Sequence, residues 1–217
     1  MNNLTKAILT VLLTASTLFS YEQSLIKFKD DYKYRYGLKD YSGKVIVKAK
    51  YDWIGDFSKG LIKVRIKSKY GYINEGGKEV VPCKYKYIGE FSNGIAKVRR
   101  HKKWGYIDRK DKKVVPIRYN YVREFHNGLL MVKFHNKWGM INRMNEEVIP
   151  CKYDYICDFS EGLVKVELKD KYGFINKENE IIIPIKYDYV DPFENGKAFV
   201  ESDGEYFYID KEGNRIN

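Results

Sequence analysis

The sequence predicts an all-β chain of tandem 34-residue meanders, an open solenoid-like or superhelical array with a small β-propeller as the alternative. Three observations carry the prediction. First, aromatic-glycine pairs recur every 34 residues, at Tyr36 and Gly37, Tyr70 and Gly71, Trp104 and Gly105, Trp138 and Gly139, and Tyr172 and Gly173. One more step reaches Tyr206, where Phe207 takes the place of glycine. Second, other columns keep the same register: Tyr51, Tyr85, Tyr119, Tyr153 and Tyr187; Phe57, Phe91, Phe125, Phe159 and Phe193; Gly60, Gly94, Gly128, Gly162 and Gly196. Pro82, Pro116, Pro150 and Pro184 form another, with Lys48 in the first slot. Third, the 217 residues include 20 tyrosines, and tyrosine suits a pleated, half-buried surface. At 16% aromatic, the chain is far from a disordered composition despite 32% charge.

The elements follow in order. Residues 1–20 read as a signal peptide: Lys6 supplies a positive start, "AILTVLLTASTLF" (7–19) an apolar stretch short of a bilayer span, and Ser20 a small residue near the cleavage point. No cysteine follows that stretch, which argues against a lipid anchor. The repeat array then occupies 21–217, about six units with the first and last atypical. In the unit 94–127, "IAKVR" alternates with Ala96 and Val98 on one face; "KWGYI" sets Trp104 and Tyr106 opposite Gly105 and Ile107. "KVVPIRY" is a third strand in which proline marks a bend or an edge, and "YNYV" a short fourth. "EGGK", "MNEE", "ENEI" and "EGNR" put Gly or Asn where a hairpin needs positive φ, and "FSNG", "FHNG" and "FENG" do so at another turn. Backbone geometry therefore explains the Gly60 column better than ligand approach does. The glycine beside each Trp or Tyr lets a neighbouring strand or ring come close. One unit cannot build a core by itself, but stacked units can share one.

The stretch "KWGYID…VVPIRYNYVREFHNGLLMVK", with 70–98 and 172–200 matching it almost column by column, resembles the WG-containing repeat family. The resemblance spans about residues 25–217. Trp occupies only two of the six aromatic slots, the last unit lacks the glycine and the first lacks the proline. The family resemblance implies a bacterial all-β tandem repeat protein of variable copy number, used as a structural or interaction module, and implies no defined reaction.

The residues themselves offer little chemistry. His101 and His135 share a slot with Lys67 and Lys169, and His126 replaces the serine of Ser58, Ser92 and Ser160, so all three histidines are expected at solvated turns. No spacing suggests a metal site, a catalytic triad or a phosphate loop, and neither cofactor nor metal is expected. Asp56, Glu90, Glu124 and Asp158 precede the Phe column and are expected as a cross-unit ion-pair or capping ladder. Cys83, Cys151 and Cys157 are odd in number and read as apolar fillers, although Cys151 and Cys157 are close enough in sequence to pair across a sharp bend.

The formal net charge of +11 points to anionic partners or to a lysine-rich solvated surface. Two basic columns would carry such binding: Lys50, Lys84, Arg118, Lys152 and Lys186, the candidate ligand-facing set, and Arg35, Lys69, Lys103, Lys137 and Lys171. The alternative is that lysine stems cover apolar surface while their heads stay wet. The expected function is a non-catalytic exported scaffold for protein interaction; the alternative is a glycan- or cell-wall-binding module using aromatic and basic columns. Nucleic acid is not an expected partner, no span is expected after the signal, and edge strands invite self-association.

Overall fold

The computed structural model describes residues 25–216, so the expected signal segment lies outside the described residues. These residues form 23 strands and no helix. The chain divides into two compact units, one ending at Lys84 and the other starting at Tyr85.

The first unit holds two sheets. One is β1 (Ile26–Asp30), β2 (Arg35–Lys39) and β3 (Val45–Tyr51); the other is β4 (Trp53–Ser58), β5 (Leu61–Ile66), β6 (Lys69–Asn74) and β7 (Glu79–Tyr85), whose last residue opens the second unit. The second unit holds four sheets. The third sheet is β8 (Tyr87–Ile88), β9 (Ile95–Arg100), β10 (Lys103–Asp108) and β11 (Lys113–Tyr119). The fourth is β12 (Tyr121–His126), β13 (Leu129–Phe134), β14 (Lys137–Asn142) and β15 (Glu147–Tyr153). The fifth is β16 (Tyr155–Ser160), β17 (Leu163–Leu168), β18 (Lys171–Ile175) and β19 (Ile181–Tyr187). The sixth is β20 (Tyr189–Val190), β21 (Ala198–Ser202), β22 (Glu205–Ile209) and β23 (Arg215–Ile216). In every sheet the strands lie side by side in chain order, so each is an up-and-down meander and none closes on itself.

The folded unit is offset from the sequence unit. The expected short fourth strand is real, but it opens the next sheet: β11 ends at Tyr119 and β12 starts at Tyr121 in the sheet that follows. Asn120 makes the step, and its N–H donates to the carbonyl of Lys133 at 2.7 Å.

Local chemistry sets the turns. Asn127 (φ 48°) and Gly128 (φ 80°) give the paired positive values of a type I′ hairpin, as do Asn93 and Gly94. No atom lies within 4 Å of a Cβ built on Gly128, so the column keeps glycine for its backbone. Asp111, Asn145 and Asn179 take positive φ before the last strand of their sheets. Their side chains also work: Asn145 donates to the Val114 carbonyl at 2.7 Å, while Asp111 and Asn179 accept from the hydroxyls of Tyr85 and Tyr153.

The glycine of each aromatic-glycine pair lies against a bulge in the next strand. Trp104 pairs with Tyr119 and Tyr106 with Val115, so two steps along β10 face four along β11. The extra residues fold the chain around Pro116 over Gly105: an added Cβ would sit 2.5 Å from the Val115 oxygen and 2.8 Å from that of Pro116. Gly139 and Gly173 face the same bulge one and two sheets later. Pro116 lies both in a bulge and on the edge strand of its sheet, as the proline column suggested.

The core is shared between successive sheets within each unit. Tyr106, Val115 and Tyr119 of the third sheet join Val122, Leu130, Val132 and Ile141 of the fourth in one buried cluster. The fourth and fifth sheets share Met131, Met140, Ile149 and Tyr153 with Ile156, Val164, Val166 and Ile175. The fifth and sixth repeat the scheme, and so does the first unit with Leu38, Val47 and Tyr51 against Ile54, Ile62, Val64 and Ile73. Neighbours in β10 therefore bury on opposite faces, Tyr106 toward the next sheet and Ile107 away from it, both at 3% exposure or less. A buried tyrosine ring removes roughly 150–250 Å² from water, worth several kcal/mol at about 25 cal/mol per Å².

Candidate functional site

The structure places the repeat-defining residues as follows. The glycine of each aromatic-glycine pair is buried; Tyr36, Tyr70, Trp104, Trp138 and Tyr172 are half-buried, and Tyr206 is exposed. Phe91 and Phe193 are buried, Phe125 and Phe159 half-buried, and Phe57 exposed, so this column does not see one environment throughout. The Tyr51 column is buried at every position.

The two basic columns have different surroundings. Lys50, Arg118, Lys152 and Lys186 are exposed, and each lies over the ring of the tyrosine that follows it, at 5.1–5.3 Å. Lys84 is half-buried, and Lys50 also pairs with Glu79 at 3.0 Å. The second column is largely taken up by a carboxylate column that sequence reasoning missed: Arg35 pairs with Asp52, Lys137 with Asp154 and Lys171 with Asp188. Asp154 and Asp188 also accept the backbone N–H groups of Lys169 and Asp203. The lysine partner and these N–H donors hold both carboxyls below the usual aspartate range.

The expected cross-unit ladder is present in part. Glu124 accepts the Tyr106 hydroxyl at 2.7 Å and the Lys97 ammonium at 3.4 Å, and Asp158 faces His126 at 3.9 Å. Burial first, and the Glu124 carboxylate second, push the Tyr106 phenol well above its ordinary value. All three histidines are exposed. The three cysteines are free, so Cys151 and Cys157 do not pair. The Cys157 thiol instead donates to the neighbouring Asp158 carbonyl at 3.1 Å, while Cys83 and Cys151 pack against separate clusters. Burial pushes the Cys83 and Cys151 thiols up to about 11. Among the described residues, no group of three or more His, Cys, Asp or Glu is placed to hold a metal ion.

Two features stand out in the second unit. The first is an aromatic row. Tyr87 meets Trp104 at 5.3 Å between ring centroids, Trp104 meets Tyr121 at 6.1 Å, and Tyr121 meets Trp138 at 5.9 Å. Tyr172 and Tyr189 continue the pattern at 6.4 Å. Cations cover the rings: Lys97 lies over both Trp104 and Tyr121, and Lys165 over Tyr155, Tyr172 and Tyr189. The indoles are thus half-buried and edge-packed, which removes them as open stacking platforms.

The second feature is a cleft of about 570 Å³ where the fourth sheet meets the fifth. Phe125, Leu129, Met131, Met140 and Phe159 make its apolar lining; Arg123, Glu124, His126, Asp158 and Lys177 stand around it. A cleft of about 450 Å³ lies one repeat earlier, lined by most of the equivalent residues, with Lys97 and Tyr106 in the places of Met131 and Met140 and with Tyr87 and Val114 in addition. The signal that could have revealed the larger cleft was a break in the period. Met131 stands in a column of Lys63, Lys97 and Lys165, Met140 in one of Tyr72, Tyr106 and Phe174, and Arg123 where Gly55 and Gly89 stand.

Sheets of one meander each, sharing cores along the chain and patterned by repeated columns, define a tandem β-repeat protein. The family model described as WG containing repeat matches residues 36–70, 70–104, 104–138, 138–172 and 172–206. The chain belongs to that family. Comparison with curated proteins gives no match. Among solved structures, the chain is similar to Kluyveromyces lactis Hsv2, at 12% identity and a TM-score of 0.37, over 88% of this chain and 72% of that one. A form of that protein with loop 6CD replaced by a Gly-Ser linker gives 10% identity and a TM-score of 0.40, over 76% of this chain and 65% of that one. The extracellular domain of the BT4673 system of B. thetaiotaomicron gives 14% identity and a TM-score of 0.36, over 90% of this chain and 35% of that one. The chain thus spans less than two thirds of the length of the last two. Among the described residues, no helix is long and apolar enough to cross a membrane.

Proposed function

We propose that the chain is an exported, non-catalytic scaffold whose repeats bind a protein partner. One observation carries the reading. Tyr87, Tyr121, Tyr155 and Tyr189 stand 34 residues apart, each 37–43% exposed, at the start of successive sheets of the second unit. Tyrosine is enriched in interface cores and among hot spots. A repeated row suits an extended partner, since each repeat adds a similar contact. The same periodicity supports a non-catalytic role, because catalysis generally relies on one specially tuned site. The pattern of residues 1–20 supports export, which cell fractionation of the full chain tests.

Capture from envelope extracts tests the binding reading. Replacing the four tyrosines of the row with serine should release the captured protein and leave the far-UV spectrum unchanged. Retention of the partner by that variant, or robust turnover of any substrate by the purified chain, would contradict the proposal. A second reading, electrostatic binding of an anionic glycan or cell-wall polymer, draws on the exposed Lys50, Arg118, Lys152 and Lys186. It predicts sedimentation with the polymer at low salt that disappears at high salt.

A further inference from the structure

The cleft between the fourth and fifth sheets is best understood against its copy one repeat earlier. At the earlier cleft two donors converge on one carboxylate, the Tyr106 hydroxyl and the Lys97 ammonium on Glu124. The Tyr106 ring also packs edge-on against Phe125 at 5.5 Å. One junction later, Asp158 holds the place of Glu124 and Phe159 that of Phe125, but both donors are replaced by thioethers, Met131 and Met140. Among the described residues, Asp158 is left facing His126 alone, at 3.9 Å, and no ring pairs with Phe159. The next junction has lost the hydroxyl too, with Phe174 against Phe193 at 4.7 Å, and there the carboxylate column holds Pro192. In the first unit Leu38 stands in the tyrosine column and Asp56 in the carboxylate column, while Lys29, in the ammonium column, lies over the Tyr34 ring at 4.8 Å. Only at the fourth and fifth sheets does the sequence keep the acidic residue while replacing both the lysine and the tyrosine of their columns.

We propose that this cleft receives a phenolic ring, the side chain of a tyrosine carried by a protein partner. The ring would lie against Phe159 and the two methionine side chains, and its hydroxyl would donate to Asp158, as the Tyr106 hydroxyl does to Glu124. Methionine suits the role, since its flexible thioether makes favourable contacts with aromatic rings and adapts to the guest. A phenol fits better than an ammonium group. Arg123 and Lys177 already stand at the cleft and oppose another cation, and in the earlier copy the hydroxyl makes the shorter contact, 2.7 Å against 3.4 Å. The inference rests on the protein-binding reading above and names what one junction of the scaffold would recognise.

The test uses the full chain with 13C-methyl methionine, probed with N-acetyltyrosinamide, N-acetylphenylalaninamide, 4-methylphenol and a tyrosine-containing peptide. The tyrosine amide should shift the Met131 and Met140 methyl signals saturably, and the phenylalanine amide should bind about tenfold more weakly, the loss expected for a hydrogen bond to a charged acceptor. Asp158→Asn should erase that preference. The double variant Met131→Lys, Met140→Tyr recreates the arrangement of the third sheet and removes both reporters, so by circular dichroism it should fold and by equilibrium dialysis it should bind no probe. The peptide should bind more tightly than 4-methylphenol. Absence of methyl shifts, equal binding of both amides, binding unchanged in the double variant, or 4-methylphenol binding as tightly as the peptide would each overturn the proposal. Envelope capture that survives the double variant in the absence of methyl shifts would remove the phenol site and leave the scaffold reading intact.

Discussion

Replacing Gly105 with alanine should destabilise the chain far more than replacing Gly128, although Gly105 lies in ordinary strand backbone and Gly128 at positive φ. A Cβ at Gly105 would meet the Val115 oxygen at 2.5 Å, the Pro116 oxygen at 2.8 Å and the Pro116 carbonyl carbon at 2.9 Å. All three are backbone atoms in a bulge, so no side chain can swing aside. The two strands must part by roughly 1 Å to restore van der Waals separation, which breaks the register of the bulge. Overpacking of this kind costs about 3 kcal/mol. At Gly128 nothing lies within 4 Å and only the φ of 80° opposes a side chain, for a cost of about 1 kcal/mol. Urea unfolding at 25 °C, followed by far-UV circular dichroism with midpoint and slope fitted together, reads both changes. Equal losses in the two variants, or a Gly105→Ala midpoint within error of the parent chain, would refute the close-approach explanation.

Other outcomes follow from the buried polar groups. The phenols of Tyr85 and Tyr106 are held above their ordinary value, chiefly by burial and then by the carboxylates that accept their hydroxyls. A raised folded-state value gives stability that is fully present below about pH 10, the unfolded tyrosine value, and is lost as pH rises further. Urea midpoints should therefore fall above pH 10, and Tyr106→Phe should flatten that fall while costing about 1–2 kcal/mol at neutral pH; an unchanged slope would contradict the assignment. Cys83 and Cys151, pushed up to about 11, should react with a thiol reagent at pH 8 far more slowly in the native chain than in urea. Native rates matching those in urea would show these thiols to be open to solvent.

Much of the fold was legible because one set of constraints acts at every copy. Gly128 needs positive φ wherever it recurs, Pro116 can sit only at an edge or a bulge, and Val98 and Ala96 alternate because one face of β9 is always covered. The phase of the folded unit was not legible. A period fixes spacing but not where one sheet ends, and Asn120, where the chain crosses between sheets, is an unremarked polar residue between two tyrosines. The Asp52, Asp154 and Asp188 column escaped notice because Lys86 and Asn120 interrupt it. The cleft was hidden for a different reason: a period describes what recurs, and Met131 and Met140 depart from their columns. Their effect also depends on Asp158 of the following sheet, a neighbour made by folding.

The central claim is that one meander lacks a core until the next sheet covers it. The most direct measurement is the far-UV circular dichroism of the isolated fourth sheet, residues 121–153, as a peptide in dilute buffer. Its valines and isoleucines lie in clusters completed by Tyr106, Val115 and Tyr119 before it and by Ile156, Val164 and Val166 after it. The account predicts a spectrum without β-structure and no cooperative thermal transition. A folded, cooperatively melting peptide would contradict it.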